Sequence, residues 1–198
     1  MTDNVRISPP QPIPYPKNRI IKKIYRIPIL LYRLGLGKFY GKYILILSTL
    51  GRKSGKVHRT PVEYFRDKDR IFIMSGFGDT PDWYQNLQND PHVTLNTDKT
   101  TLYMLARKPE TQSEWEEVVK FLKTSPVSIL SSHGLVNQLD DPKFQQEIKH
   151  WPVLTFDKTQ EPCPKPLEPD LTWAWPLILL FSARAVLRCW LRYRKHKK

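Results

Sequence analysis

Apolar positions change period twice along the chain. Ile20, Ile21, Ile24, Ile27 and Leu31 recur at helical spacing, with Arg19, Lys22, Lys23 and Arg26 on the opposite side. The pattern predicts an amphipathic N-terminal helix, capped by Asn18 and kinked or restarted at Pro28. Three glycines in the run LGLGKFYGKY (34–43) break it. Short apolar runs bounded by turn residues then predict strands over Tyr43–Thr49, Thr60–Arg66, Arg70–Met74, His92–Thr97, Thr101–Lys108 and Val153–Phe156, with Asp67-Lys68-Asp69 as a hairpin turn. Helical spacing returns over Asp82–Asn89 and Pro142–His150. It also returns over Glu114–Lys123, where Trp115, Val118, Val119 and Leu122 share a side. This order predicts an α+β domain on a mostly antiparallel sheet or barrel.

The two ends read differently. SPPQPIPYP (8–16) forms neither helix nor strand, and QEPCPKPLEPD (160–170) has the composition of a proline-rich linker. Trp173–Leu191 is a nineteen-residue apolar stretch interrupted only by Arg184 and Arg188, which align with Arg192 at i, i+4, i+8 on a separate C-terminal helix. The expected organisation is a leader over 1–17, a domain over 18–158, a linker over 159–170 and an apolar, basic helix over 171–198.

Charge sharpens this picture. The 198 residues carry a formal net charge of +13, but unevenly. Residues 4–62 hold thirteen Lys/Arg and no acid, and 184–198 hold seven and no acid, whereas 63–183 hold twelve against eighteen acidic residues. A mildly acidic body with two cationic ends suits a polyanionic partner at those ends. The aliphatic stripe beside the N-terminal cations fits an anionic membrane surface better than nucleic acid, which is not expected as a partner. Met1 is followed by a polar leader and not by an apolar signal core, and two cysteines are too few for a disulfide scaffold. A cytoplasmic protein peripherally associated with the membrane is expected.

The densest chemistry is Gly51-Arg52-Lys53-Ser54-Gly55-Lys56-Val57-His58-Arg59-Thr60-Pro61. Two glycines bracket a cationic turn between strands, which suits a phosphate or carboxylate; a solvated hairpin loop is the plainer alternative. Only three residues separate the glycines, so this is not a Walker A loop. Ser75-Gly76-Phe77-Gly78 follows a strand and lets a flat ligand approach backbone, or serves as an ordinary strand-to-helix turn with Trp83 in the core. The five histidines show no metal-ligand pairing, so no metal site is expected. Ser131, Ser132 and His133 read as a polar loop before they read as a catalytic group.

Taken together, LSTLGRKSGKVHRTPVEYFRDKDRIFIMSGFGDTPDWYQNLQNDPHVTL (47–95) resembles the deazaflavin (coenzyme F-420)-dependent nitroreductase and quinone reductase family. The resemblance covers roughly 20–157. It implies a split β-barrel related to the flavin-binding pyridoxamine-oxidase-like proteins. It also implies roles. Arg52, Lys53 and Ser54 would hold the cofactor's phosphate and glutamate tail, with His58 or Arg59 assisting and Pro61 lining the ring site. Met74, Ser75 and Gly76 would present backbone to the ring, and Trp83 and Asn86 would close the pocket. The expected activity is hydride transfer from reduced deazaflavin to a quinone or similar flat electrophile, a small-molecule acceptor, with Tyr64 or Tyr84 as proton donor. Two alternatives stay open: an FMN-dependent oxidoreductase of the same fold, and a non-catalytic carrier of a flavin, tetrapyrrole or lipid.

Overall fold

Side-chain alternation sorts the strands of the sheet into an interior and an outer face. The computed structural model describes residues 18–67, 70–124, 140–141, 145–146 and 148–196. The leader, the turn residues Lys68 and Asp69, the Ser131-Ser132-His133 group and the start of the helix expected from Pro142 lie outside the described residues. Of that last helix, residues 145–146 are helical and Ile148–His150 form a 3-10 turn.

Seven strands form one antiparallel sheet: β1 (Ile44–Leu50), β2 (Val57–Glu63), β3 (Phe65–Asp67), β4 (Arg70–Met74), β5 (His92–Asn96), β6 (Thr101–Arg107) and β7 (Val153–Lys158). Their order is β2-β1-β5-β6-β7-β4-β3. The two edge strands are consecutive in sequence, and β2 also approaches β4, so the sheet curls into a barrel left open along one seam. Sequence pattern predicts one strand over 60–66; the chain instead divides it at Tyr64, the first part pairing with β1 and the second with β4. The cause is local. Tyr64 turns its ring into the core and donates its hydroxyl to the Gly41 carbonyl at 2.6 Å.

Leu45, Leu47, Ile71, Ile73, Val93, Leu95, Leu154 and Phe156 alternate into the barrel interior. The helix α4 (Asp82–Asn89) joins them there through Trp83, Tyr84 and Leu87. On the outer face, α5 (Gln112–Thr124) packs Trp115, Val118 and Leu122 against Phe72 and Val153. Its start is a capping box: the Glu114 N–H donates to Thr111 Oγ1, and Glu114 Oε2 accepts from the Glu110 and Thr111 N–H groups. Glu114 is buried and also pairs with Arg107 at 2.7 Å.

Three short helices precede the sheet: α1 (Arg19–Ile24), α2 (Ile27–Arg33) and α3 (Gly37–Tyr40). Asn18 caps α1, and Pro28 sits in the first turn of α2, so the expected restart occurs there. The glycines after α2 have a packing cause. A Cβ on Gly37 would stand 2.7 Å from the Tyr32 ring, and one on Gly41 would stand 2.5 Å from its hydroxyl. Tyr32 is buried there and donates to the Ile44 carbonyl.

The proline-rich segment 159–170 is docked on the outer face of β2, β1 and β5. Proline has no N–H to satisfy, and the carbonyls of this segment serve as acceptors for the sheet's side chains. Thr94 donates to the Pro164 carbonyl, Arg59 to the carbonyls of Lys165 and Pro166, and Asn96 exchanges two hydrogen bonds with Leu167. At its start, His92 bridges Asp90 and Glu161 at 2.7 Å each. Beyond it, α6 (Trp175–His196) leaves the body as one continuous helix.

The Glu114 contacts make a pH-dependent contribution. The hydrogen bond from Arg107 holds its carboxyl at about 2, against an ordinary 4.5, helped by the two N–H donors and opposed by burial. A depressed folded-state value stabilises the native state above the ordinary carboxylate range and ceases to do so as pH falls through the folded value. Glu114→Gln is therefore expected to lower stability by about 1–3 kcal/mol at neutral pH. The gap from wild type should close between pH 4.5 and about 2. Urea unfolding across that range checks this; equal stability at pH 7 would contradict it.

Candidate functional site

The cationic turn is built by the register of its own hairpin. β1 and β2 pair continuously from Ile44 opposite Glu63 to Leu50 opposite Val57, leaving residues 51–56 to reverse the chain. Gly51 N–H donates to the Lys56 carbonyl at 2.9 Å, and Gly55 N–H to the Gly51 carbonyl at 2.8 Å. Gly51 is a steric requirement: a Cβ there would stand 2.7 Å from both the His58 ring and Ser54 Oγ. Ser54 Oγ meets His58 Nε2 at 3.2 Å and accepts from the Lys56 N–H. Lys53 and Lys56 are exposed and have no side-chain partner among the described residues.

One amide fixes this turn to α4. Asn86 is only 3% exposed. Its Oδ1 accepts from the Arg52 N–H and from Arg52 Nη1, both at 3.2 Å, and its Nδ2 donates to Thr49 Oγ1 at 3.2 Å. Arg52 Nη1 also pairs with Asp82 at 3.0 Å, but Asp82 is largely exposed, so the contribution of that pair is small. The segment 75–81 leads straight into α4, where Gln85 donates to the carbonyls of Asp79 and Thr80. The turn and the glycine-rich segment are thus both anchored to α4, through Asn86 and Gln85.

The other expected site residues are distributed by strand alternation. His58 lies opposite Thr49 and sits over the turn, whereas Arg59 lies opposite Ser48 and faces the docked 159–170 segment. These adjacent residues therefore serve opposite faces of β2. Pro61, opposite Ile46, shares the Arg59 face. Among the described residues, Ser48 Oγ and Arg59 Nε on that face and Ser75 Oγ at the end of β4 are buried without a hydrogen-bond partner. Ser75 N–H is satisfied by the Pro152 carbonyl, and Met74 packs toward the α5 layer. Gly76 continues the loop beyond. Trp83 and Tyr84 stand edge-to-face at 5.7 Å within the interior core. Burial raises the pKa of Tyr84. Tyr64 is not brought to the site: it lies at the opposite end of the β1–β2 hairpin, about 20 Å away by strand rise. Its hydroxyl is committed to Gly41, and burial first, then the Asp98 charge, push its pKa up to about 12.

Local reasoning misses three partners. Thr49 reads as an ordinary strand residue, yet it anchors Asn86. The carbonyls of 164–167 have no side-chain signature. Tyr25, just after α1, sets its ring edge-on to Phe77 at 6.4 Å, joining the N-terminal segment to the glycine-rich loop. A cleft along α5, lined by Gln112, Glu116, Lys120 and Lys149, contains none of the expected site residues.

Residues 29–129 match the model of the F420H(2)-dependent quinone reductase family. A Mycobacterium tuberculosis (strain ATCC 25618 / H37Rv) protein assigned as an F420H(2)-dependent quinone reductase, Rv3178, is 32% identical over 72 residues, or 34% of this chain and 60% of that protein. The chain therefore matches less than two thirds of that relative's length. Among solved structures, the F420-H2 dependent reductase FDR-A is 20% identical with a TM-score of 0.42, over 59% of this chain and 95% of that one. A Listeria innocua protein assigned as a pyridoxamine 5'-phosphate oxidase is 12% identical with a TM-score of 0.37, over 67% and 91%. The family match spans half of the chain, and the chain belongs to the F420H(2)-dependent quinone reductase family, whose cofactor is coenzyme F420.

Proposed function

We propose that the protein is an oxidoreductase that uses reduced coenzyme F420 to reduce a quinone or a similarly flat electrophile. One observation carries this reading: a closed turn presents Arg52, Lys53 and Lys56 at one corner, with both lysines exposed and without an acceptor among the described residues. The residues fit an elongated anionic cofactor. Cationic side chains suit its phosphate and carboxylates, and the buried, unpartnered Ser75 Oγ leaves a polar atom beside the glycine-rich loop.

When bound, coenzyme F420 supplies the hydride at its deazaflavin ring. The work of the chain is then positioning. Arg52, Lys53 and Ser54 hold the anionic tail, with His58 fixed over the same turn by Ser54. Gly76 and the backbone of Met74 and Ser75 allow the flat ring to approach. Asn86 sets the angle between turn and helix, and Trp83 forms the rigid floor beneath α4. Arg59 and Pro61 line the opposite face of β2, against the 159–170 segment. Of the two tyrosines, Tyr84 is the one carried by α4; burial keeps its hydroxyl protonated, as a proton donor requires. Quinones partition into lipid, so we place the reaction at the cytoplasmic face of a membrane, with the protein peripheral to it. Among the described residues no helix is long and apolar enough to cross a membrane.

Two measurements test the assignment. A charge-assisted hydrogen bond contributes about 1.5–3 kcal/mol. Arg52→Ala combined with Lys53→Ala is therefore expected to raise the dissociation constant for F420 about 100-fold or more, with the circular dichroism spectrum unchanged. An unchanged constant would overturn the anion-binding role. Asn86→Ala removes three hydrogen bonds at a buried position and should destabilise the fold by about 1–3 kcal/mol. F420 affinity should fall with it, because Arg52 loses its anchor. Destabilisation with full affinity would reduce Asn86 to a packing residue.

A further inference from the structure

From Pro176 to Val186 every residue of α6 is exposed. Leu177, Ile178, Leu179, Leu180 and Phe181 are consecutive and each is between 37% and 65% exposed. At 100° per residue, five consecutive positions encircle the helix. One turn of the helix is therefore apolar on every side, wider than the single stripe that a protein groove buries. Ser182 Oγ donates to the Ile178 carbonyl, so its hydroxyl is already satisfied within the helix. The charges on the segment are all of one sign: no Asp or Glu occurs from 171 to 198. Arg184 and Arg188, both exposed, lie four apart on one line. Exposed Trp173 stands near the start, with exposed Trp190 and Tyr193 toward the far end.

The base of this helix is rigidly placed. Trp175 Nε1 donates to the Leu34 carbonyl at 2.8 Å, and Leu171 N–H to the Arg33 carbonyl at 2.9 Å. Arg33 grips Asp170 with two hydrogen bonds, at 2.7 and 2.8 Å. With the bonds from Thr94, Arg59 and Asn96 to residues 164–167, the segment before α6 is fastened both to the sheet and to α2.

We infer that α6 is a docking arm for the surface of an anionic phospholipid bilayer, lying in the interface with its arginines toward the headgroups. The apolar girdle of 177–181 takes up acyl chains, and Arg184 and Arg188 select acidic lipids. The aromatic residues at the two ends sit at the depth their amphipathic rings prefer. Nucleic acid would match the charge but offers no medium for the girdle. Two copies packed through this helix would bring like charges together without an acidic complement from either arm. Because the arm's base is fastened, docking also fixes how the body faces the membrane. The inference rests on the membrane placement proposed above and is independent of the cofactor.

The test uses the full chain and sedimentation with phosphatidylcholine vesicles, alone or containing one quarter phosphatidylglycerol. Wild type is expected to partition to the acidic vesicles and to be released by salt. Leu179→Glu combined with Phe181→Glu should reduce partitioning at least tenfold. Arg184→Gln combined with Arg188→Gln should remove most of the preference for acidic over neutral vesicles. F420 titration should be unchanged in both variants, which shows that the body remains folded. Undiminished partitioning of the Leu179→Glu/Phe181→Glu variant would overturn the role of α6 while leaving membrane placement intact. Failure of wild type to bind either vesicle would overturn both. Conversion of a wild-type dimer into a monomer by that variant, without loss of vesicle binding, would assign the helix to a second copy and overturn the proposal.

Discussion

The side-chain amide of Asn86 is the joint on which the candidate site depends. It is buried, and its oxygen and nitrogen face different elements: Arg52 of the cationic turn on one side and Thr49 of β1 on the other. A buried amide must find such partners, because leaving them unmade costs about 1–3 kcal/mol per group. The requirement therefore runs both ways. The turn closes where Arg52 can reach α4, and α4 starts where Asn86 can reach the strand. Hairpin and helix are joined by one side chain that carries no charge, and the adjacent Gln85 ties the end of the glycine-rich segment to the same helix.

A second constraint follows from a sheet that is open along one seam. β2 and β3 belong to one stretch of chain, divided by the inward turn of Tyr64, and its edges would otherwise expose ladder groups and a polar outer face. The chain covers that face with the 159–170 segment, whose proline carbonyls accept hydrogen bonds without demanding any. The same segment then delivers α6 to a fixed exit beside α2. Covering the sheet and orienting the terminal helix are consequences of one docking event.

Much of the fold was legible in the sequence because it depends on local period. The short runs Tyr43–Thr49 and His92–Thr97, and the helical spacing around Trp115, correspond to elements within a few residues of their observed ends. The cationic turn was legible because glycines and lysines between two strands leave few other conformations. What was not legible is set by long-range partners. Nothing near Tyr64 announces that Gly41 will take its hydroxyl, so the residue reads equally as a site tyrosine and as a strand residue. His58 and Arg59 look interchangeable until the β1 register places them on opposite faces. The glycines of 34–43 read as helix breakers, and their packing against Tyr32 becomes apparent only in three dimensions. The proline-rich composition of 160–170 fits a free linker and a docked one equally, since carbonyl acceptors leave no mark on side-chain pattern.

The central claim is that the turn at 51–56, fixed by Asn86, selects a deazaflavin cofactor with a long anionic tail. The most direct measurement is a pair of equilibrium titrations of the wild-type full chain, one with coenzyme F420 and one with FMN, each followed by ligand fluorescence at physiological salt. The account predicts saturable F420 binding at one site per chain, at least tenfold tighter than FMN. Binding of FMN as tight as or tighter than that of F420, or no saturable F420 binding, would contradict it.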